Sequence, residues 1–145
     1  MIEKDLLKIL CIYSAILGAI LGLLPLIPLF IGFAFVVLLI FVSPIVLFYF
    51  KKLGLIKNFE MEKCLVVGAI SGAVAGLGFS IVYFLIALLL QLIFKIQSFI
   101  WIKVLFVNIG FLIPMIILIA LVVALFNAFS AFLVSYFFIY FNKNK

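Results

Sequence analysis

The side chains able to do chemistry inside this chain's apolar stretches are few and weakly reactive. They are Ser14, Ser43, Ser71, Ser80, Gln91, Asn108, Asn127, Ser130 and Ser135, with some tyrosines and the cysteines Cys11 and Cys64. A serine nucleophile needs a base beside it, and hydrolytic metal chemistry needs ligands. Residues 9–50, 64–94 and 104–142 contain no Asp, Glu, Lys or Arg, and the chain has no His. Ion pumps, proton-coupled carriers and voltage sensors need ionisable groups within the membrane, so these classes are disfavoured too. The acids Glu3, Asp5, Glu60 and Glu62 sit among lysines at the ends of the apolar runs and read as solvated charge balance. Two cysteines make neither a disulfide framework nor, without histidine, a metal ligand set. The glycines of the third stretch lack the Lys-Ser/Thr that completes a phosphate loop. The expectation is therefore a non-enzyme without catalytic residue, cofactor or metal.

Two constellations remain. Gly68, Gly72 and Gly76 recur every fourth residue, which makes a flat helix face that another backbone can approach closely. Ala15, Ala19 and Gly22, with Gly18 beside them, form a matching strip in the first stretch. The simplest expectation is that these strips pack the first and third spans together within one chain, with oligomer contact as the alternative. The second constellation is polar. Asn127 and Ser130, with Ser135 further on and Asn108 upstream, suggest either a track for a small solute or interhelical hydrogen bonds worth about 0.6 kcal/mol each. So few residues do not define a pathway, and the second reading is preferred.

The elements that must position these groups follow from composition. The chain has 145 residues, is 72% hydrophobic and 10% charged, and its mean hydropathy is +1.68. Soluble domains carry about 25% charged residues, and a chain this short cannot hide so much apolar surface from water. Since a spanning helix needs roughly 20 apolar residues, the sequence predicts an all-α, polytopic bundle of four transmembrane helices in a single domain. The spans are expected at about 6–24, 29–50, 64–94 and 114–140. The charged start and apolar run at the N-terminus continue into more apolar sequence, so they read as a retained first helix and not as a signal peptide.

Pro25 and Pro28 predict a very short turn between the first two spans. Ser43-Pro44 predicts a kink in the second, with Ser43 as local partner for the carbonyl that proline leaves free. Gly54 should end that helix, and Asn58 should cap a short helix leading into the third span. The third span, 31 residues, would be roughly 46 Å long against a core of about 30 Å. It should tilt or bend, most readily at 76–80. Residues 91–103 predict a short interfacial segment between the third and fourth helices, anchored by Lys95, Trp101 and Lys103, in preference to a plain tight turn. Pro114 is expected in the first turn of the fourth span. Phe126, Phe129, Phe132, Phe137, Phe138 and Phe141 read as lipid-facing or packing residues, not a ligand cage.

All ten cations are lysines, scattered in small groups at span boundaries, which argues against nucleic acid as a partner. Four spans put Lys4, Lys8, the loop 51–63 with Lys51, Lys52, Lys57 and Lys63, and the tail Lys143 and Lys145 on one side. Only Lys95 and Lys103 fall on the other. The excess of lysine predicts that both termini and the loop 51–63 are cytoplasmic, with Lys51 and Lys52 as snorkelling anchors. Shifting the sequence by 53 residues lays Cys11 over Cys64 and the first small-residue strip over residues 68–75. That is either a helix-hairpin duplication or chance alignment of common residues. The expected partners are the lipid bilayer and either a second copy or another membrane protein. The expected role is a subunit, assembly factor or scaffold, with a small oligomeric permease or channel as the alternative.

Overall fold

A computed structural model describes residues 4–55, 60–95, 104 and 107–143. Among these, every regular element is helical. Helix α1 spans Lys4–Leu23 and runs into two 3₁₀ turns, Leu24–Leu26 and Pro28–Phe30. The second apolar run is divided into α2 (Ile31–Val36), a π-helical turn (Val37–Phe41) and α3 (Val42–Lys52). Helix α4 covers Met61–Phe94 and α5 covers Ile109–Lys143. The four runs are long and apolar enough to cross a membrane, and by composition the chain reads as a multi-pass membrane protein.

The ends of these helices have local causes. The prolines at 25 and 28 remove amide donors, so the chain tightens into 3₁₀ turns closed by Ile27 N–H on the Leu24 carbonyl (3.1 Å) and Phe30 N–H on that of Ile27 (2.9 Å). Gly54 ends α3 at φ +71°. Its N–H donates to the Lys51 carbonyl, and the Leu55 N–H donates to the Phe50 carbonyl, both at 3.0 Å. That pair of bonds is a Schellman motif, which needs a left-handed residue and so favours glycine. Helix α4 ends differently. Lys95 takes the left-handed conformation at φ 51°, its N–H bonded to the Gln91 carbonyl. A lysine tolerates that region less well than glycine.

Helix α4 is continuous through 76–80, one helix of 34 residues, about 51 Å at 1.5 Å per residue; two other expectations about the spans need correction. Ser71 and Ser80 donate to the carbonyls of Gly68 (3.1 Å) and Gly76 (2.8 Å), which engages their hydroxyls without disrupting the helix. Pro114 is not in the first turn of the fourth span; α5 begins at Ile109 and holds Pro114 inside it. The break in the second span lies one turn before Pro44, at Val37–Phe41, and not at the proline itself. Of the expected interfacial segment 91–103, Gln91–Phe94 are the last turn of α4 and Lys95 is its cap; residues 96–103, with Trp101 and Lys103, lie outside the described residues, as do Lys57 and Asn58.

Helix α4 is the centre of the bundle. It meets α5 antiparallel, Gly68 lying by Ala128 and Ala131, Gly72 by Val123 and Asn127, and Gly76 by Ala120. It meets α1 in the parallel sense, Gly18 lying by Ala75 and Gly22 by Phe79. The core holds Leu10, Leu38, Leu47, Phe50, Val67 and Phe79. A smaller cluster, Phe84, Ala87 and Leu112, fills the opposite end. Outward, α5 exposes Leu118, Leu121, Leu125 and Phe129, each by more than half. A perimeter that apolar suits hydrocarbon, where only internally bonded helices or closed barrels are stable.

Candidate functional site

The structural centre of the molecule is a carboxamide inserted into a helix. Asn127 on α5 is fully buried. Its Oδ1 accepts the backbone N–H of Ser43 at 2.8 Å. Its Nδ2 donates to the carbonyl of Leu38 at 2.8 Å and to that of Val123, one turn back on its own helix, at 3.0 Å. Leu38 and Ser43 are five residues apart in one chain, the spacing that a π-helical bond would close directly. The side-chain amide therefore takes the place of a peptide group in the ladder of the second span. A side chain inserted into the ladder is a known cause of helix distortion. Here the distortion is the π turn Val37–Phe41, which ends at Phe41 (φ −98°, ψ −16°) where α3 begins.

Ser130, one turn along, completes the repair. Its hydroxyl donates to the Ile40 carbonyl at 2.6 Å. Ile40 is four residues before Pro44, so in a regular helix its carbonyl would accept the N–H that proline lacks. Ser130 supplies that missing donor from another helix. Ser43, the expected local partner, does not: its Oγ is buried and has no hydrogen-bond partner among the described residues. The freed carbonyl is instead taken from α5, by Ser130.

Asn108 takes no part. It is exposed, and its Nδ2 donates to the Val104 carbonyl at 3.1 Å, while its backbone N–H goes to the same oxygen at 3.2 Å. So of Asn108, Asn127 and Ser130 the fold brings together only the last two, and it points them at backbone groups of the second span. Ser135 is fully buried near the Cys64 thiol, with which it hydrogen-bonds. Cys11 is half-buried.

The glycine strips do not face one another as expected. Gly68, Gly72 and Gly76 meet α5. A Cβ on Gly72 would sit 2.7 Å from both the Val123 carbonyl oxygen and the Asn127 Cβ, and one on Gly76 would sit 2.9 Å from the Ala120 Cα. The strip on α1 meets another face of α4. A Cβ on Gly18 would land on the Ala75 carbonyl oxygen, and one on Gly22 would lie 2.6 Å from that of Phe79. Ala15 and Ala19 face Gly78, a glycine outside the fourfold series. The small residues of α4 thus occupy two faces, and sequence spacing alone identified one. The close approach at Gly72 also lets Asn127 reach across into the second span.

One end of the bundle collects the charges. Lys51 sits over the Phe138 ring, its Nζ 3.3 Å from the centroid, a cation–π contact at a boundary. Lys63 pairs with Glu60 at 2.8 Å, both exposed. At the same end Tyr13 and Tyr49 join α1 to α3 through their hydroxyls, 2.9 Å apart. Below them a slot of about 200 Å³ opens between the two helices, walled by Ile16, Leu17, Ile45 and Val46. Lys52 is exposed in the last turn of α3, and Lys95 lies at the opposite end of the bundle, at the close of α4. Among the described residues, no group of three His, Cys, Asp or Glu side chains converges as a metal site would require. No family model, curated protein or solved structure matches this chain.

Proposed function

We propose that the chain is a non-catalytic integral membrane protein that acts through contacts between helices, as a subunit, assembly factor or scaffold. The observation that carries this reading is the use of its deepest polar groups. The Asn127 amide and the Ser130 hydroxyl hold the backbone of the second span, which supports a structural use over the conduction of a solute. Buried polar groups of this kind specify one arrangement of helices. The small-residue faces of α4 are likewise filled from within the chain, so a partner would meet the apolar outer faces.

The same reading places both termini and the loop 51–63 in the cytoplasm. Lys51 on Phe138, Cys64 by Ser135 and Tyr13 on Tyr49 bring the ends of all four spans together, and with them Lys8, Lys51, Lys52 and Lys63. An excess of lysine at one end marks the cytoplasmic side. Reporter fusions at residues 57 and 97 test it: residue 57 on the outside ends this topology. The role itself is tested by purification in mild detergent at native expression. A partner protein, or a second copy, at fixed stoichiometry is expected. A lone monomer, together with water-accessible cysteines placed at 127 and 130, would instead favour the channel.

A further inference from the structure

We infer that the slot between α1 and α3 binds one acyl chain of an anionic phospholipid, whose phosphate lies against the Tyr13–Tyr49 pair. Four features carry this. The slot is about 200 Å³, below the roughly 300–1,000 Å³ of ordinary small-molecule sites and far too narrow for a helix about 10–12 Å across. Its wall of Ile16, Leu17, Ile45 and Val46 is apolar, and it opens sideways on the perimeter where lipid tails lie. A flexible hydrocarbon chain fits that shape and chemistry.

The third feature is the closure at the charged end. Two phenols bonded to each other at 2.9 Å use one hydroxyl hydrogen between them. The other O–H and the remaining lone pairs are left for an outside group, and a phosphate or ester oxygen accepts such a donor. Both tyrosines are 38% exposed, so a headgroup can reach them. Tyrosines at this level are typical of the lipid–water boundary.

The fourth is charge. Ile45, Tyr49 and Lys52 fall at i, i+4 and i+7 on α3, one continuous stripe that runs from the slot to an ammonium group. Lys51 is held over Phe138, which leaves Lys52 as the cation in line with the slot, and Lys8 adds to the field of that end. Asp5 lies two turns beyond Tyr13 on α1 and is exposed. An anionic headgroup is favoured over a zwitterionic one, since each lysine near the surface attracts anionic lipid.

The inference does not depend on the subunit role. It needs only that the four helices lie in a bilayer, and sedimentation without detergent tests that separately. The protein is reconstituted in vesicles of equal phosphatidylglycerol and phosphatidylcholine, extracted in mild detergent, and weighed intact by native mass spectrometry. One phosphatidylglycerol per chain is expected, in preference to phosphatidylcholine. Lys52→Gln should lower that preference roughly fivefold, the share of one lysine. Tyr13→Phe with Tyr49→Phe should lower retention of both lipids, since both carry the phosphate and ester oxygens that the phenols meet, and Ile45→Trp should block retention of either lipid. Lys52 lies outside the apolar wall, so Lys52→Gln keeps the test valid if Ile45→Trp fails to fold. Equal retention of the two lipids by the unaltered protein, an unchanged ratio in Lys52→Gln, or a lipid-free dimer with a second copy seated on α1 and α3 would each overturn the inference.

Discussion

Replacing Asn127 by leucine removes the carboxamide while keeping the heavy-atom count and branching of the side chain, so no cavity is opened, although the two methyl groups are bulkier than the amide. Three hydrogen bonds disappear. The one to Val123 matters least, since that carbonyl keeps its place in the α5 ladder. The other two leave the Ser43 N–H and the Leu38 carbonyl buried without partners. An orphaned buried group costs about 1–3 kcal/mol, so the pair sets an upper range of about 2–6 kcal/mol. The lower bound comes from repair. Were the π turn to close Leu38 directly onto Ser43, the loss would approach the 0.6 kcal/mol typical of a membrane hydrogen bond. The absence of an N–H at Pro44 opposes that closure, so a loss of about 3 kcal/mol is expected. Unfolding by dodecyl sulfate in mixed micelles, followed by far-ultraviolet dichroism and by the single tryptophan, measures it. Amide exchange at Ser43 should accelerate in parallel. A loss of about 0.6 kcal/mol or less, with Ser43 still protected, would show that the ladder closes unaided and would refute this account of Asn127.

The Ser130–Pro44 relation gives a double-mutant cycle. Ser130→Ala should cost about 1–2 kcal/mol by orphaning the Ile40 carbonyl, and clearly less in a Pro44→Ala background, where an N–H returns at the right spacing; zero coupling by the same unfolding assay would separate the two residues. Among the glycines, Gly18→Ala and Gly72→Ala should each destabilise by about 1–3 kcal/mol through overpacking. Gly32→Ala and Gly110→Ala, with nothing within 4 Å of the added carbon, should be neutral or stabilising by up to about 1 kcal/mol. Cysteines placed at 127 and 130 should resist water-soluble maleimides, while one placed at 52 should react readily.

Some of this was legible in the residues. Charge-free runs of sufficient length, bounded by lysines, give four long helices because hydrocarbon leaves the backbone no other partner. Gly54 and the prolines at 25 and 28 mark chain turns through their own backbone chemistry. The site was legible only in part. Asn127 and Ser130 stood out as polar groups deep in an apolar run, but nothing local says that they address Leu38 and Ile40, 89 and 90 residues away. The stretch Val37–Phe41 has no glycine, proline or polar residue to announce a π turn; Pro44 drew attention a turn too late. The glycine faces were misassigned for a related reason. Spacing identifies a flat face, while the choice between α1 and α5 depends on which helix surface is complementary, and that is a tertiary property.

The borrowed amide has a consequence for biosynthesis. Translation delivers the second span long before the residues that complete it. The oxygens of Leu38 and Ile40 await donors that leave the ribosome 89 and 90 residues later. Until then the segment Val37–Phe41 must enter hydrocarbon with its polar atoms uncovered, or pause where translocon or water can cover them. Helix α5, made well after the second span, is therefore the one that locks it, and a nascent chain halted before residue 127 holds a hairpin that cannot reach its final form.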